Sequence, residues 1–455
     1  MALSEHDRRF VAWAAEKAPD ALAKVELAVF EPLGLRGLRA TKYVKAKEES
    51  IVWPASLALE VTTGMRAPAN VSKPLWAESA WYTQLAILLL RRSAEGPGGA
   101  LAPWVDALPR EFDTPYGWSD DEVEALHYPA LREAVARQRE EWAKIHSGMA
   151  VGGVDCTQAE LEWALHCVRS RAFSGAYEGS TYQQRVGLFG FIVLLTVLYP
   201  LLSMGSWSQA LGGAVTGLIF IVARDVISPR VLELKRYVLC PLVDMLNHDG
   251  TIPSDVEYRV FTNTYAVSAD AAVPAGEQVR ISYGPRSNDQ LLQFHGFVEK
   301  GCVHDSYILT RFLEHVDSIA GVSDSALDTL EKEGLLQALR RGIRVGNDGK
   351  CDEASVLLAE RLSVALGGSK KALELLLGAC RLEKQALPTS YEEDKVQLKQ
   401  FGSSSKRKAA GSDRGFSPAQ SSEQGPRMQT ILEFRVSKKM LLERAILELE
   451  ASSAA

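Results

Sequence analysis

Between Arg185 and Arg224 the chain carries no charged residue, and no other stretch limits its possible folds so sharply. An apolar run, Gly187–Leu202, is followed by a polar break at Gly205-Ser206-Trp207-Ser208-Gln209 and a second run, Ala210 to Ala223. A bilayer core asks for about 20 apolar residues per helix, usually about 17–25. The first run is read as meeting that length, and the second does so if it recruits the turn. Arg185 lies before the runs and Arg224, Arg230, Lys235 and Arg236 lie after them. Basic flanks at both ends place both on one side of a membrane, cytoplasmic or stromal. The pattern therefore predicts a two-helix transmembrane hairpin over 185–224, with its membrane-embedded part at 186–223. A helical hairpin buried in a large soluble domain would share the pattern, but core helices seldom run so long without a polar face.

With 455 residues there is room for two or three domains. A formal charge of -6 argues against a nucleic-acid partner, which would call for a basic excess. The six cysteines, Cys156, Cys167, Cys240, Cys302, Cys351 and Cys380, are dispersed and include no CxxC pair. That is neither a disulfide framework nor a zinc module, and no metal site is expected. Glu5 and Asp7 stand where a transit peptide would be poor in acids.

Residues 6–30 read as a helical lead-in, with Phe10, Trp13 and Ala14 at helical spacing. Short apolar runs punctuated by glycine, Gly34–Ala40, Ile51–Pro54 and Leu57–Leu59, suggest strands and a tight turn. Helical patterns dominate from Trp76 to Arg171 and again from about Ser306 onward. Val256–Phe261 and Thr264–Val267 look like a strand pair around Thr262-Asn263, and Gln278–Tyr283 like a further strand. The segment 402–427, rich in Ser, Gly, Lys and Gln, reads as disordered, and a closing helix follows it.

Two short segments point to chemistry. Asp244-Met245-Leu246-Asn247-His248 ends an apolar run in an amide and an imidazole, and Arg280-Ile281-Ser282-Tyr283-Gly284 ends a β-branched run in a phenol. Such groups are costly to bury unpartnered, so their position at the ends of apolar segments suggests a site. Ordinary strand-to-turn boundaries would explain either segment alone.

Together and in this order they resemble the Rubisco large-subunit methyltransferase class of SET proteins. Gly34-Leu35-Arg36-Gly37-Leu38 is similar to the first SET motif and Arg169-Ser170-Arg171-Ala172-Phe173-Ser174 to the motif closing the inserted helical subdomain. Asp244–His248 resembles the Asn-His motif. Ser282-Tyr283-Gly284, with Leu291-Leu292-Gln293-Phe294-His295-Gly296-Phe297, resembles the final one. The resemblance implies an α+β fold: a SET domain of small β-sheets (1–75 and 237–300) with knot-like threading of its C-terminal part. A helical subdomain (76–175) would be inserted in it, and an all-α substrate-binding domain (301–455) would follow. The apolar hairpin falls where relatives have a short connection.

The same resemblance implies a protein-lysine N-methyltransferase using S-adenosylmethionine on a non-histone protein. Gly34, Leu35, Arg36, Arg171, Ser174, Asp244, Asn247 and His248 would hold the cofactor, Tyr283 would be catalytic, and Phe294 and His295 would line the lysine channel. These residue types suit the task. A glycine loop admits close backbone approach, Arg171 can fork onto a carboxylate, and Asn247 offers a donor and an acceptor. Tyr283 would orient the amine, since a phenol with a pKa near 10 is a poor base at neutral pH. His295 stands where many relatives carry a second tyrosine, so a histidine substrate stays open. So does a catalytically silent SET protein that acts as a membrane-tethered binding module. With the hairpin in a membrane, the enzyme would be tethered beside the bilayer, with a chloroplast among the candidate locations.

Overall fold

The computed structural model describes the chain apart from residues 1–2, 32–33, 178–181, 224–226, 228–233, 260, 369, 411–423 and 455. For 182–185, 222, 402–410, 424 and 454 it describes the backbone alone. Two compact units emerge, Met1–Glu111 with Trp142–Tyr283, and Phe112–Glu141 with Gly284–Ala455.

In the first unit Ser4 and Asp7 form a reciprocal capping box that starts the helix Glu5–Lys17, whose Phe10, Trp13 and Ala14 are buried. The helical lead-in ends there. Residues 25–30, read as its continuation, form strand β1 (Val25–Phe30) instead. Val25, Leu27 and Val29 recur every second residue, and pairing with β2 (Leu35–Ala40) overrides any helical preference. β3 (Glu49–Pro54) and β4 (Leu59–Thr62) follow, then the helix Trp81–Ala94. Thr157 and Glu160 cap the helix Gln158–Arg171, which buries Leu161, Ala164, Leu165 and Val168. Arg169 and Arg171 occupy its last turn, where the helix dipole favours cations.

β5 (Phe173–Ala176), β6 (Lys235–Leu239), β7 (Asn247–His248), β8 (Ser254–Arg259), β9 (Thr264–Ala269) and β10 (Gln278–Ile281) complete three small sheets. Their orders are β1-β2-β10-β7, β3-β9-β8 and β4-β6-β5. β8 and β9 form the expected hairpin, with Asn263 left-handed at φ 54° in its turn. The pairing that matters for function is β10 with β7. It is parallel, with Arg280 opposite Asn247 and Ile281 opposite His248, so the residues just beyond β10 arrive beside the Asn-His pair.

The apolar segment forms two helices, Tyr182–Leu201 and Trp207–Val222. Among the described residues, however, no helix is long and apolar enough to cross a membrane. This corrects the transmembrane expectation, and the reason is length. The first helix spends its opening turn on Tyr182-Gln183-Gln184-Arg185, and the polar break is used up in the turn and the Ser206 capping box of the second, a helix of 16 residues. At 1.5 Å per residue each apolar stretch spans about 24 Å, short of a hydrocarbon core of about 30 Å.

The second unit is built round one large core that includes Tyr128, Tyr307, Phe312, Leu362 and Phe434. It is not all-helical as expected. β11 (Ser306–Leu309) and β12 (Ile343–Gly346) pair antiparallel, because Tyr307, Leu309, Ile343 and Val345 alternate into the core with a strand's period of two. The helix Tyr391–Ala410 extends into the segment read as disordered and the helix Gln424–Ala454 begins within it, while 411–423 lie outside the described residues. Buried Asp394 accepts from Arg435 Nε at 3.0 Å and Lys439 Nζ at 2.5 Å, tying these two helices together.

Candidate active site

The helix Gln158–Arg171, the turn after β6, and strands β2, β7 and β10 converge within the first unit. After β6 the backbone turns sharply. Leu242 is buried with φ 68°, a left-handed conformation that leucine rarely adopts, and a short 3-10 turn, Val243–Met245, carries Asp244 inward. The Asp244 side chain is fully buried. Its Oδ2 lies 3.5 Å from Arg171 Nη1 and accepts from Trp104 Nε1 at 3.4 Å. Arg171 Nη1 also donates to the Asp244 carbonyl at 2.6 Å. Burial pushes the Asp244 carboxyl above its ordinary value, with Arg171 and Arg36 opposing the shift.

Two strands bring in the remaining groups. Asn247 Nδ2 donates to the Arg36 carbonyl at 3.1 Å. Between them sits Gly37, where an added Cβ would stand 2.7 Å from Asn247 Nδ2 and 2.6 Å from Gln278 Nε2. The Tyr283 backbone N–H donates to His248 Nδ1 at 3.0 Å, so this nitrogen is unprotonated and the neutral ring carries its proton on Nε2. The two rings stack with centroids 4.9 Å apart. The Tyr283 hydroxyl donates to the Leu246 carbonyl at 2.8 Å. Burial pushes the phenol up to about 12, which Arg171 opposes and Asp244 reinforces.

The structure thus gathers Arg171, Asp244, Asn247, His248 and Tyr283. It treats the others differently. The Arg36 guanidinium is engaged by Asp7 Oδ1 at 2.6 Å and the Ala107 carbonyl at 2.7 Å, so this residue offers the site its backbone carbonyl. Burial would raise the Asp7 carboxyl, but Ser4 and Arg36 hold it below its ordinary value. Gly34 is left-handed at φ 65°, as a tight entry to β2 requires, and Leu35 beside it is exposed. Ser174 is exposed on β5, opposite Tyr237. Phe294 and His295 belong to the second unit, on the helix Asn288–His295.

Gly37, Gln278 and Trp104 carry weight that the sequence reading missed. Only the glycine left a signal, since a glycine inside a strand often marks a close approach of other groups. Three buried polar atoms here lack a hydrogen-bond partner: Arg171 Nε, Asp244 Oδ1 and Gln278 Nε2. Each such atom costs on the order of 1–3 kcal/mol, so unmade bonds in one place suit a polar ligand.

No protein-family model matches the chain. Among solved structures, Rubisco LSMT bound to sinefungin and monomethyllysine superposes with a TM-score of 0.61, covering 99% of this chain and 93% of that one at 16% identity. The SET domain of LSMT bound to methyllysine and AdoHcy gives 0.63, at 100% and 93% coverage and 15% identity. The chain has the SET-domain fold of Rubisco LSMT. In sequence, the chain is 23% identical over 465 residues to the chloroplastic [fructose-bisphosphate aldolase]-lysine N-methyltransferase of Arabidopsis thaliana, spanning 97% of this chain and 82% of the relative. The actin-histidine N-methyltransferase of Drosophila melanogaster is 25% identical over 324 residues, 70% of this chain and 54% of that protein. Within this SET fold the parallel β7–β10 pairing is what brings Tyr283 to Asn247-His248.

Proposed function

We propose that the protein is an S-adenosylmethionine-dependent protein-lysine N-methyltransferase acting on a non-histone protein. The observation that carries this reading is the Tyr283 hydroxyl, tied to the Leu246 carbonyl and held neutral beside the Asn247-His248 pair. The cofactor would supply an electrophilic methyl group on a sulfonium. Arg171 Nε is an unused donor for its carboxylate, and Asp244 Oδ1 and the Asn247 side chain offer acceptors for its ammonium. Among the described residues no cluster of His, Cys, Asp or Glu could hold a metal ion.

The Tyr283 hydroxyl donates its hydrogen bond to the Leu246 carbonyl, so toward the incoming amine its oxygen would act as an acceptor for an N–H. A phenol pushed up to about 12 does not ionise near neutrality and is not the base. The lysine, with a reference pKa near 10.4, must shed its proton before its lone pair is available. Tyr283 and the Leu246 carbonyl then align that lone pair, which is the main task in a displacement governed by orientation. His248 fixes the Tyr283 backbone through Nδ1.

In this reading 1–75 and 237–300 form the SET core, 76–175 its inserted helical part, and 301–455 the region that docks the substrate. Phe294 and His295 would shape the lysine channel. A chloroplast location belongs to the same proposal and rests on the Arabidopsis relative. Transfer to histidine is the second reading, favoured by the actin-histidine relatives.

Calorimetric titration with S-adenosylmethionine tests the cofactor reading. Wild-type protein should bind. Gly37→Ala should bind more weakly by about 1–3 kcal/mol, because the new methyl displaces Asn247 or Gln278 from its place. Equal affinity in the variant, or no binding by folded wild-type protein, would remove Asn247 from the cofactor site.

A further inference from the structure

The apolar hairpin plays no part in the chemistry above, yet among the described residues it exposes more large apolar side chains than any other segment. Val193, Leu194 and Leu195 are consecutive and each about half exposed, at 47%, 53% and 49%. In the other helix Leu218, Ile219 and Phe220 are exposed at 40%, 64% and 68%. Consecutive residues on a helix point about 100° apart, so this surface runs round each helix and is no single stripe. A protein groove covers one stripe, whereas a lipid environment solvates every face. Contiguous exposed patches on soluble monomers rarely pass a few hundred Å².

The hairpin's polar groups also suit an apolar medium. Thr196 Oγ1 donates to the Ile192 carbonyl at 2.7 Å, and Thr216 Oγ1 to the Gly212 carbonyl at 2.9 Å. At the tip the Ser206 N–H donates to Gln209 Oε1 at 3.0 Å, the Gln209 N–H donates back to Ser206 Oγ, and the Ser206 and Ser208 hydroxyls lie 2.9 Å apart. These groups are paired inside the hairpin, which is the condition for entering hydrocarbon. Charge agrees. From Glu178 to Lys235 the sequence holds four basic residues (Arg185, Arg224, Arg230, Lys235) against three acidic ones (Glu178, Asp225, Glu233), in a chain whose total is -6, while Arg236 beyond them is buried against Glu60. A basic surround draws a segment toward anionic lipid headgroups.

We propose that the hairpin Tyr182–Val222 embeds in an anionic lipid bilayer, entering and leaving on one side without crossing it. The shortfall between about 24 Å of apolar helix and a core of about 30 Å keeps it from spanning. The proposal does not depend on the methyltransferase reading, and its test is scored separately from methyl transfer.

The test is flotation of the full chain with vesicles of phosphatidylcholine alone and of phosphatidylcholine mixed with phosphatidylglycerol. Wild-type protein should float with the mixed vesicles, and more weakly with the neutral ones. Leu195→Asp with Ile219→Asp should stay at the bottom, because one aspartate at the centre of an embedded helix lowers partitioning on the order of a hundredfold. Both positions are solvent-exposed, so the variant should keep wild-type circular dichroism, a control for folding. Wild-type protein that does not float, or a variant that floats as well, overturns the proposal. Self-association of wild-type protein in lipid-free buffer without flotation assigns the surface to a second copy and overturns it equally. Depth is read with Met204→Cys at the exposed tip and a thiol reagent trapped inside the vesicles. Absence of labelling supports a hairpin that stops short, and labelling shows that it crosses.

Discussion

Replacing Tyr283 by phenylalanine should slow methyl transfer on the order of a hundred- to a thousandfold, the usual cost of removing one preorganised polar group from a reacting centre. The change removes the hydroxyl that donates to the Leu246 carbonyl at 2.8 Å and keeps the ring that stacks 4.9 Å from His248. The backbone N–H to His248 Nδ1 is untouched. Binding of S-adenosylmethionine should therefore survive, and the loss should appear in single-turnover transfer rates and not in cofactor affinity. A variant that transfers at the wild-type rate would mean that Tyr283 only fills space. Because burial holds the phenol up to about 12, the wild-type rate should show no inflection from Tyr283 across the neutral range. A rise with pH would report the substrate amine.

The second large effect concerns stability. Arg171→Met keeps an apolar stem of similar length and leaves the fully buried Asp244 carboxylate without its nearest cation. Breaking a buried pair from one side costs about 3–5 kcal/mol, measurable as a lower urea midpoint at neutral pH. Asp244→Asn in the same chain should recover much of that loss, since the uncompensated charge is gone. The pH dependence has a definite sign. Burial already holds the Asp244 carboxyl above its ordinary value, so the folded state favours the protonated form. That contribution is fully present below the unfolded carboxyl value, near 3.9, and is lost as pH rises through the folded one. Removing Arg171, which opposes the shift, moves the folded value higher still. The deficit of Arg171→Met relative to wild type should therefore shrink as pH falls, and a deficit independent of pH would argue that packing, and not charge, was lost.

Much of the site was legible because its chemistry needs particular residue types at chain positions a reader can see. Arg171 ends a helical stripe, Asn247 and His248 end an apolar run, and Tyr283 ends a β-branched one. What stayed hidden acts through space that only the fold creates. Gly37 matters because Asn247 and Gln278 come within 3 Å of where its side chain would be. Trp104 matters because the turn after β6 carries Asp244 to its indole N–H. Arg36 was legible as part of a motif, but its guanidinium is taken by Asp7, far away in sequence, and only its carbonyl faces Asn247.

The fold was misread where one period was carried past its end or counted too generously. The helical spacing of Phe10, Trp13 and Ala14 stops at Lys17, and the apolar alternation of 25–30 then takes over. In the second unit, helices on both sides masked two four-residue strands. The apolar hairpin was given bilayer-spanning length because its first run, 16 residues, was counted as long enough and its polar turn was lent to the second, and the structure spends that turn on a reversal and a capping box. The absence of charge was real, and its consequence is an apolar surface exposed round both helices.

The central claim is tested most directly by identifying the amino acid that receives the methyl group. Wild-type protein and Tyr283→Phe would each be incubated with labelled S-adenosylmethionine and a cell extract depleted of endogenous methylation, and the labelled proteins hydrolysed to amino acids. Label in methylated lysine with wild-type protein, and its near absence with Tyr283→Phe, is the predicted result. Label confined to methylhistidine, or no label from folded wild-type protein, would contradict it.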